Sequence, residues 1–359
     1  MNFKKLLLNI IFLIVFVNVS SFWQNNNLYA GIEIGSKGIK MTVIEILNIK
    51  KGDFKVVSYW TENVGISKGI AIDGNLAKAD IERASVVVNT NYIKIKDEFK
   101  VNNENIFIVG SSGVAMATNT NDLIQIVKTL INKDLEFIDA QTEGKMLLKG
   151  CVPPVDYKDS MVLDIGGGNT KGGYIDVKND DNFVFFPLTL NYGSVTLTEA
   201  VIKKTKTEFI NEYNEKSFGF MPILREQINL MYGKSPIALE KEKVYLSGGA
   251  VWAFYTLFNE GKASQTFNEF KIEDVINYDA IIKNNYVKYE KLAKTNKDIE
   301  AVLKTYSQKY LISGSNILQV CLEAVPGIND KKLFFAKEGQ IAWLISYIAD
   351  RSKRVKKIY

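Results

Sequence analysis

The chain contains no histidine. That absence removes imidazole-ligated metal centres, a serine–histidine–aspartate triad and any imidazole general base. Proton transfer therefore falls to carboxylates, lysine, tyrosine or water. Cysteine is nearly as scarce. Cys151 and Cys321 are the whole supply, their spacing suits no metal, and two buried free thiols are expected rather than a disulfide. An excess of one charge sign is also missing: 45 basic residues face 40 acidic ones, a net charge of +5, which gives no case for nucleic acid as a partner. The basic residues are dispersed except for Arg351, Lys353, Arg354, Lys356 and Lys357. These read as the solvated end of a C-terminal helix rather than an anion-binding patch. No repeat at the roughly 20–50-residue periods of a solenoid is present.

What is present is a globular composition, 47% hydrophobic and 24% charged over 359 residues, sufficient for two domains with sizeable cores. Lys4 and Lys5 precede an apolar run from Leu6 to Phe22, broken only by Asn9, Asn18, Ser20 and Ser21. This is the layout of a secretory signal. Cleavage near Ser21 is preferred over Ala30, which adjoins the first motif strand. Residues 1–21 are accordingly expected to be a leader and the protein to be exported. The rival reading is an uncleaved anchor attaching through residues 4–22, because the run approaches the ~20 residues that span a bilayer.

Beyond the leader, short β-like runs alternate with helical patterns. Leu28–Ile34, Lys40–Leu47 and Phe54–Trp60 read as a β-meander, Asn75–Thr90 and Asn121–Asn132 as helices, and Asn105–Val109 as a buried strand. Thr142–Leu148 is expected to be helical, and Pro153 and Pro154 mark a boundary. The plan then restarts. Ser160–Ile165, Gly172–Val177 and Phe183–Leu190 form a second meander, Val195–Lys204 a helix and Lys243–Ser247 a buried strand. From about Asp274 the pattern is mainly helical. The expected fold class is α/β: two lobes with mixed sheets around an interlobe cleft, arisen by duplication, with a helical C-terminal part. The divisions are 28–150 for lobe I, 151–345 for lobe II and 346–359 for a basic tail.

Three glycine-containing turns follow strands: Gly31 to Lys40, Leu163 to Thr170, and Tyr245 to Ala250. Glycines after a strand let the backbone approach an anion with N–H groups pointing into the turn, and Ser36 and Thr170 add hydroxyl donors. Glu33 and Asp164 each stand two residues before the glycine of their turn. The bland alternative is a pair of tight β-hairpins with no ligand.

These turns look like the two phosphate motifs and the third motif of the actin, sugar-kinase and chaperone-ATPase superfamily. Further segments resemble the exopolyphosphatase and guanosine-pentaphosphate phosphatase family: Ile106 to Ser112 followed by Ala117 and Asn119, Ile138 to Lys145, Leu190 to Glu199, Ile312 to Leu318, and Ala336 to Gln340. The resemblance runs from about Leu28 to Trp343. It implies two actin-like (ribonuclease H-like) lobes, with a phosphate chain and magnesium in the cleft. By position, Glu143 matches the carboxylate that orients or deprotonates the attacking water, and Asp164 and Glu33 match metal ligands. Gly35, Ser36, Lys37, Gly166, Gly167, Gly168, Asn169 and Thr170 match the phosphate-contacting turns, and Gly193 a glycine at a helix start. The implied activity is phosphoanhydride hydrolysis, releasing terminal phosphate from polyphosphate or a related compound, and the family would fit a homodimer.

The chain departs from the family pattern where Lys171 stands for a Glu and where Ala115 and Thr196 stand for Arg. Arginine clamps phosphate bidentately, so these changes are not conservative. They keep open a non-catalytic anion- or protein-binding protein on the same fold. A small-molecule kinase is a third reading.

Overall fold

A computed structural model of the chain describes residues 27–48, 53–178, 182–207, 209–261 and 265–352. The expected leader and residues 353–359 of the basic tail lie outside the described residues. The first sheet opens with the meander β1 (Leu28–Ile34), β2 (Gly38–Asn48) and β3 (Asp53–Asn63), followed by β4 (Ile106–Gly110) and β5 (Leu135–Phe137). Its order is β3-β2-β1-β4-β5, with β4 parallel to β1 and β5 parallel to β4. The second sheet repeats this plan. The meander is β6 (Ser160–Ile165), β7 (Thr170–Lys178) and β8 (Asn182–Leu190), and β9 (Lys243–Ser247) runs parallel to β6. β11 (Lys332–Ala336) lies parallel to β9, and β10 (Phe267–Phe270) closes the edge antiparallel to β11, giving β10-β11-β9-β6-β7-β8. The two orders superimpose strand for strand apart from that extra edge strand, which is what a duplication leaves behind.

β1 and β6 are central and buried on both faces, so they read as near-continuous apolar runs rather than alternating ones. On β1, Ala30, Ile32 and Ile34 enter the lobe I core beside Ile81, Ala84 and Val88 of the Lys78–Asp97 helix and Leu123 and Val127 of the Thr120–Ile131 helix. The other face of β1 meets the Gly339–Ser352 helix. A Cβ on Gly31 would stand 2.8 Å from the Cδ1 atoms of both Leu344 and Ile348.

Two helices form a layer between the sheets. The Ala140–Cys151 helix starts at Asp139, whose carboxylate accepts a 2.6 Å hydrogen bond from the Thr142 amide. It contributes Met146, Leu147 and Leu148 to a core shared with Trp343, Leu344 and Ile348 of the Gly339–Ser352 helix, Ile44 and Val109 of the first sheet, and Val162 and Tyr245 of the second. Both cysteines are buried and free, as expected.

The C-terminal region is mainly helical, as expected, with helices at Ile272–Asn284, Val287–Ala293, Lys297–Thr305 and Gln308–Glu323; it also supplies β11, which sits inside the second sheet between β9 and β10. One expected limit is corrected. The boundary at 345/346 falls within one continuous helix, Gly339–Ser352. Tyr347 and Ile348 are buried, because this helix returns to lobe I and packs on β1, β2 and the Ala140–Cys151 helix.

Candidate functional site

The site is built by two hairpins with the same register. Each turn is four residues long and is flanked by a strand pair, Ile34 with Ile39 and Ile165 with Thr170. The Gly35 amide donates to the Gly38 carbonyl and the Gly166 amide to the Asn169 carbonyl, both at 3.0 Å. One step back from each turn, Glu33 lies opposite Lys40, and Asp164 opposite Lys171. Antiparallel pairing therefore places an ammonium against each acid. Lys40 Nζ is 3.1 Å from both carboxylate oxygens of Glu33. Lys171 Nζ is 2.8 Å from Asp164 Oδ1 and 3.0 Å from Glu143 Oε1.

Glu143 arrives from the Ala140–Cys151 helix through close backbone packing. A Cβ on Gly144 would lie 2.7 Å from the Gly172 carbonyl oxygen, so the absence of a side chain at Gly144 lets the helix approach closely enough to bring Glu143 beside Lys171. Glu143 Oε2 accepts a 2.8 Å hydrogen bond from the Ser112 amide. Its Oε1 is held by the Lys171 charge rather than by a well-directed hydrogen bond.

The turns converge on Gly113. A Cβ on Gly168 would be 2.7 Å from the Gly113 Cα and 2.5 Å from Ser36 Oγ. In front of them opens a cleft of about 540 Å³, walled on the far side by Trp252 and Tyr306. The third turn reaches it at Gly248, whose φ of +93° suits glycine, and at Gly249, the first residue of the Gly249–Phe258 helix.

Of the residues expected from the sequence, Glu33, Gly35, Ser36, Lys37, Asp164, Gly166, Gly167, Gly168 and Asn169 line this cleft. Three others do not. Gly193 was expected to open a helix whose N–H groups face an anion. Those groups are already used: Ser194 N donates to the Gly166 carbonyl, Val195 N and Thr196 N to the Gly167 carbonyl, and Gly193 N to Thr196 Oγ1. The helix start thus caps the second turn from behind. Thr170 donates its hydroxyl to the Tyr192 carbonyl and not into the cleft. Glu143 has no solvent exposure and stands behind Lys171. Thr196, in place of an expected Arg, donates to the Gly168 carbonyl at 2.7 Å and so latches the same turn.

Lys40 and the Ser112 amide are not among the residues expected from the sequence. Lys40 was recoverable by counting, since both acids have their lysine seven residues on. The Ser112 contact joins elements distant in sequence and has no local signal.

Burial dominates the electrostatics. It pushes the Glu33 carboxyl up to about 7, against the lowering effect of Lys40 and with a further push from Glu143. Lys171 is also desolvated, but Asp164 and Glu143 outweigh that and hold it well above the ordinary lysine range. Lys37 lies over the Tyr310 ring at 4.0 Å. Burial, with Lys68 nearby, pulls it down to about 8, and burial pushes Glu199 up to about 8.

The magnesium implied by the resemblance does not fit this donor set. Asp164 and Glu33, its expected ligands, each hold an ammonium, and Lys171 occupies the space between Asp164 and Glu143.

Two duplicated mixed sheets, a helical layer between them and a cleft floored by paired strand–turn–strand units define a two-lobed protein of the actin-like class. Residues 45–231 match the model of the Ppx/GppA phosphatase family, and the chain belongs to that family. It is 25% identical over 149 residues to a guanosine-5'-triphosphate,3'-diphosphate pyrophosphatase of Aeromonas hydrophila, a match covering 41% of this chain and 29% of the relative. The chain therefore spans well under half of that curated relative. A crystal structure of the Aquifex aeolicus Ppx/GppA family member superimposes with a TM-score of 0.63 at 20% identity, covering 90% of this chain and 98% of that one. An exopolyphosphatase from Cytophaga hutchinsonii gives 0.64 at 16% identity, covering 89% and 98%. At these identities the structural likeness shows the fold alone.

Proposed function

We propose that the chain is a hydrolase of phosphoric anhydrides that seats a terminal phosphoryl group of polyphosphate, or of a related phosphate compound, between the two glycine turns. The observation that carries this reading is the meeting of both turns at Gly113, with Lys37, Lys40 and Lys171 all lining the cleft. Turn amides and ammonium groups suit an oxyanion whose charge grows little during transfer, where positioning and neutralisation supply most of the catalysis. Glu143 is the carboxylate assigned to the attacking water. In the structure Lys171 covers it, so entry of an anion that draws the ammonium forward would be needed to uncover it. Export through the N-terminal leader would put polyphosphate within reach more readily than a cytoplasmic guanosine nucleotide.

The sealing of Glu143 by Lys171 and Ser112 favours a second reading, anion binding without turnover. Phosphate release from long polyphosphate by the purified full-length chain separates the two. The hydrolase reading expects release that falls about 10²- to 10⁴-fold in Glu143→Gln, the usual contribution of a general base. A folded protein that binds polyphosphate and releases nothing establishes the second.

A further inference from the structure

We infer that Lys171, with Lys40, is a resident cation standing where a divalent metal would otherwise be needed, so that this cleft binds phosphoanhydrides without metal. The inference rests on the phosphate-binding reading above and specifies how that site is neutralised.

Three observations converge. Lys171 Nζ bridges two carboxylates that come from different elements, at 2.8 Å from Asp164 on β6 and 3.0 Å from Glu143 on the Ala140–Cys151 helix. All three side chains are sequestered, with exposures of 7%, 7% and 1% for Lys171, Asp164 and Glu143. A bridge this enclosed holds in the chain without a ligand, unlike a surface pair that breaks and re-forms in water. Second, the arrangement is duplicated: the same register step gives Glu33 its own ammonium from Lys40. Third, the lining is net cationic. Lys37, Lys40, Lys171, Lys304 and Lys337 stand in it against Glu33 and Asp164, with Glu143 buried behind.

Magnesium demands near-octahedral oxygen ligands and keeps several waters. To use Asp164 and Glu143 it would have to displace the ammonium or stand beside it, cation against cation at low dielectric. An ammonium carries three N–H donors. Two point contacts to the acids leave one for an anion, and Nζ sits next to the second turn, 3.1 Å from where a Gly166 Cβ would be. Lys171 thus does electrostatically for a phosphate what a bridging ion would do, without an exchangeable ligand.

The test is manganese binding to the full-length chain, followed by electron paramagnetic resonance and by the shift of thermal unfolding. Tripolyphosphate binding is then measured by calorimetry in chelator and in magnesium. Wild type is expected to take up no stoichiometric Mn²⁺, to show no Mn²⁺-dependent shift in unfolding, and to bind tripolyphosphate with a Kd that chelator changes less than about twofold. Lys171→Met leaves Asp164 and Glu143 facing each other uncompensated. It is expected to gain one Mn²⁺ site and to be stabilised by the ion through mass action, whereas Lys171→Arg stays metal-free. One tightly bound Mn²⁺ in wild type, or a tenfold loss of tripolyphosphate affinity in chelator, overturns the inference. If tripolyphosphate binds under neither condition, the phosphate reading fails, and the manganese measurement still decides whether Lys171 excludes a metal. Both wild-type measurements stand even if the methionine variant does not fold.

Discussion

The two hairpins are copies that have been put to different uses. Turn length, register and the acid–lysine pair are the same in both. What differs is the helix behind each. The first hairpin is backed by the Gly339–Ser352 helix, which offers Leu344 and Ile348 at Gly31. Its lysine meets one carboxylate and is 24% exposed. The second is backed by the Ala140–Cys151 helix, which delivers Glu143, and its lysine joins two carboxylates at 7% exposure. A duplicated backbone motif therefore fixes where charges sit, while the inter-sheet helices decide how many charges meet.

The largest effect should come from breaking this asymmetry at its centre. Lys171→Met leaves two buried carboxylates without a cation and is expected to cost about 3–5 kcal/mol in urea-induced unfolding. Lys40→Met, with one partner and partial exposure, should cost about 1–2 kcal/mol once solvent screening is allowed for. Equal losses would mean that the two hairpins do not differ as described.

A smaller effect concerns pH. Glu33 sits at about 7 in the folded chain against an ordinary 4.5. Between those values the unfolded chain releases its proton while the folded chain keeps it. The contribution is complete below 4.5 and is lost as pH rises through 7, amounting to at most about 3 kcal/mol. Stability curves at pH 5 and pH 8 should converge in Glu33→Gln. A wild-type contribution that instead grew with pH across this range would show that Lys40 outweighs burial.

The most local test concerns the glycine contacts. Gly144→Ala drives a methyl group against the Gly172 backbone and should cost about 1–3 kcal/mol while displacing Glu143. Gly31→Ala meets only the movable ends of Leu344 and Ile348 and should cost less. Thermal unfolding of the pair ranks them, and reversed order would place the tighter helix contact on the first hairpin.

Much of the duplication was legible in the sequence, because an acid two residues before a glycine turn and flanking apolar runs are local signals. The strands Leu28–Ile34, Ser160–Ile165 and Lys243–Ser247 match their expected limits residue for residue. β11 was missed because a five-residue run between helical stretches says nothing of its neighbours, and only its place between β9 and β10 makes it a strand. Gly193 does start a helix, as expected, but the use of its N–H groups was hidden for a related reason. Helix starts carry unpaired N–H groups, and the carbonyls of Gly166 and Gly167 that pair them belong to a distant turn. Glu143 was found as a residue but not as a buried one. An acid near a helix start is ordinarily solvated, and its burial depends on the contact between Gly144 and Gly172.

The return of the Gly339–Ser352 helix to the first sheet also bears on synthesis. Domains generally fold in the order in which the ribosome delivers them. Here the first lobe has all its strands once Phe137 has emerged, yet one face of β1 stays uncovered until the second lobe has been translated and the last helix follows it. The nascent chain therefore carries an open apolar strand face from the synthesis of β1 until the Gly339–Ser352 helix is made, and that helix completes the packing of both lobes.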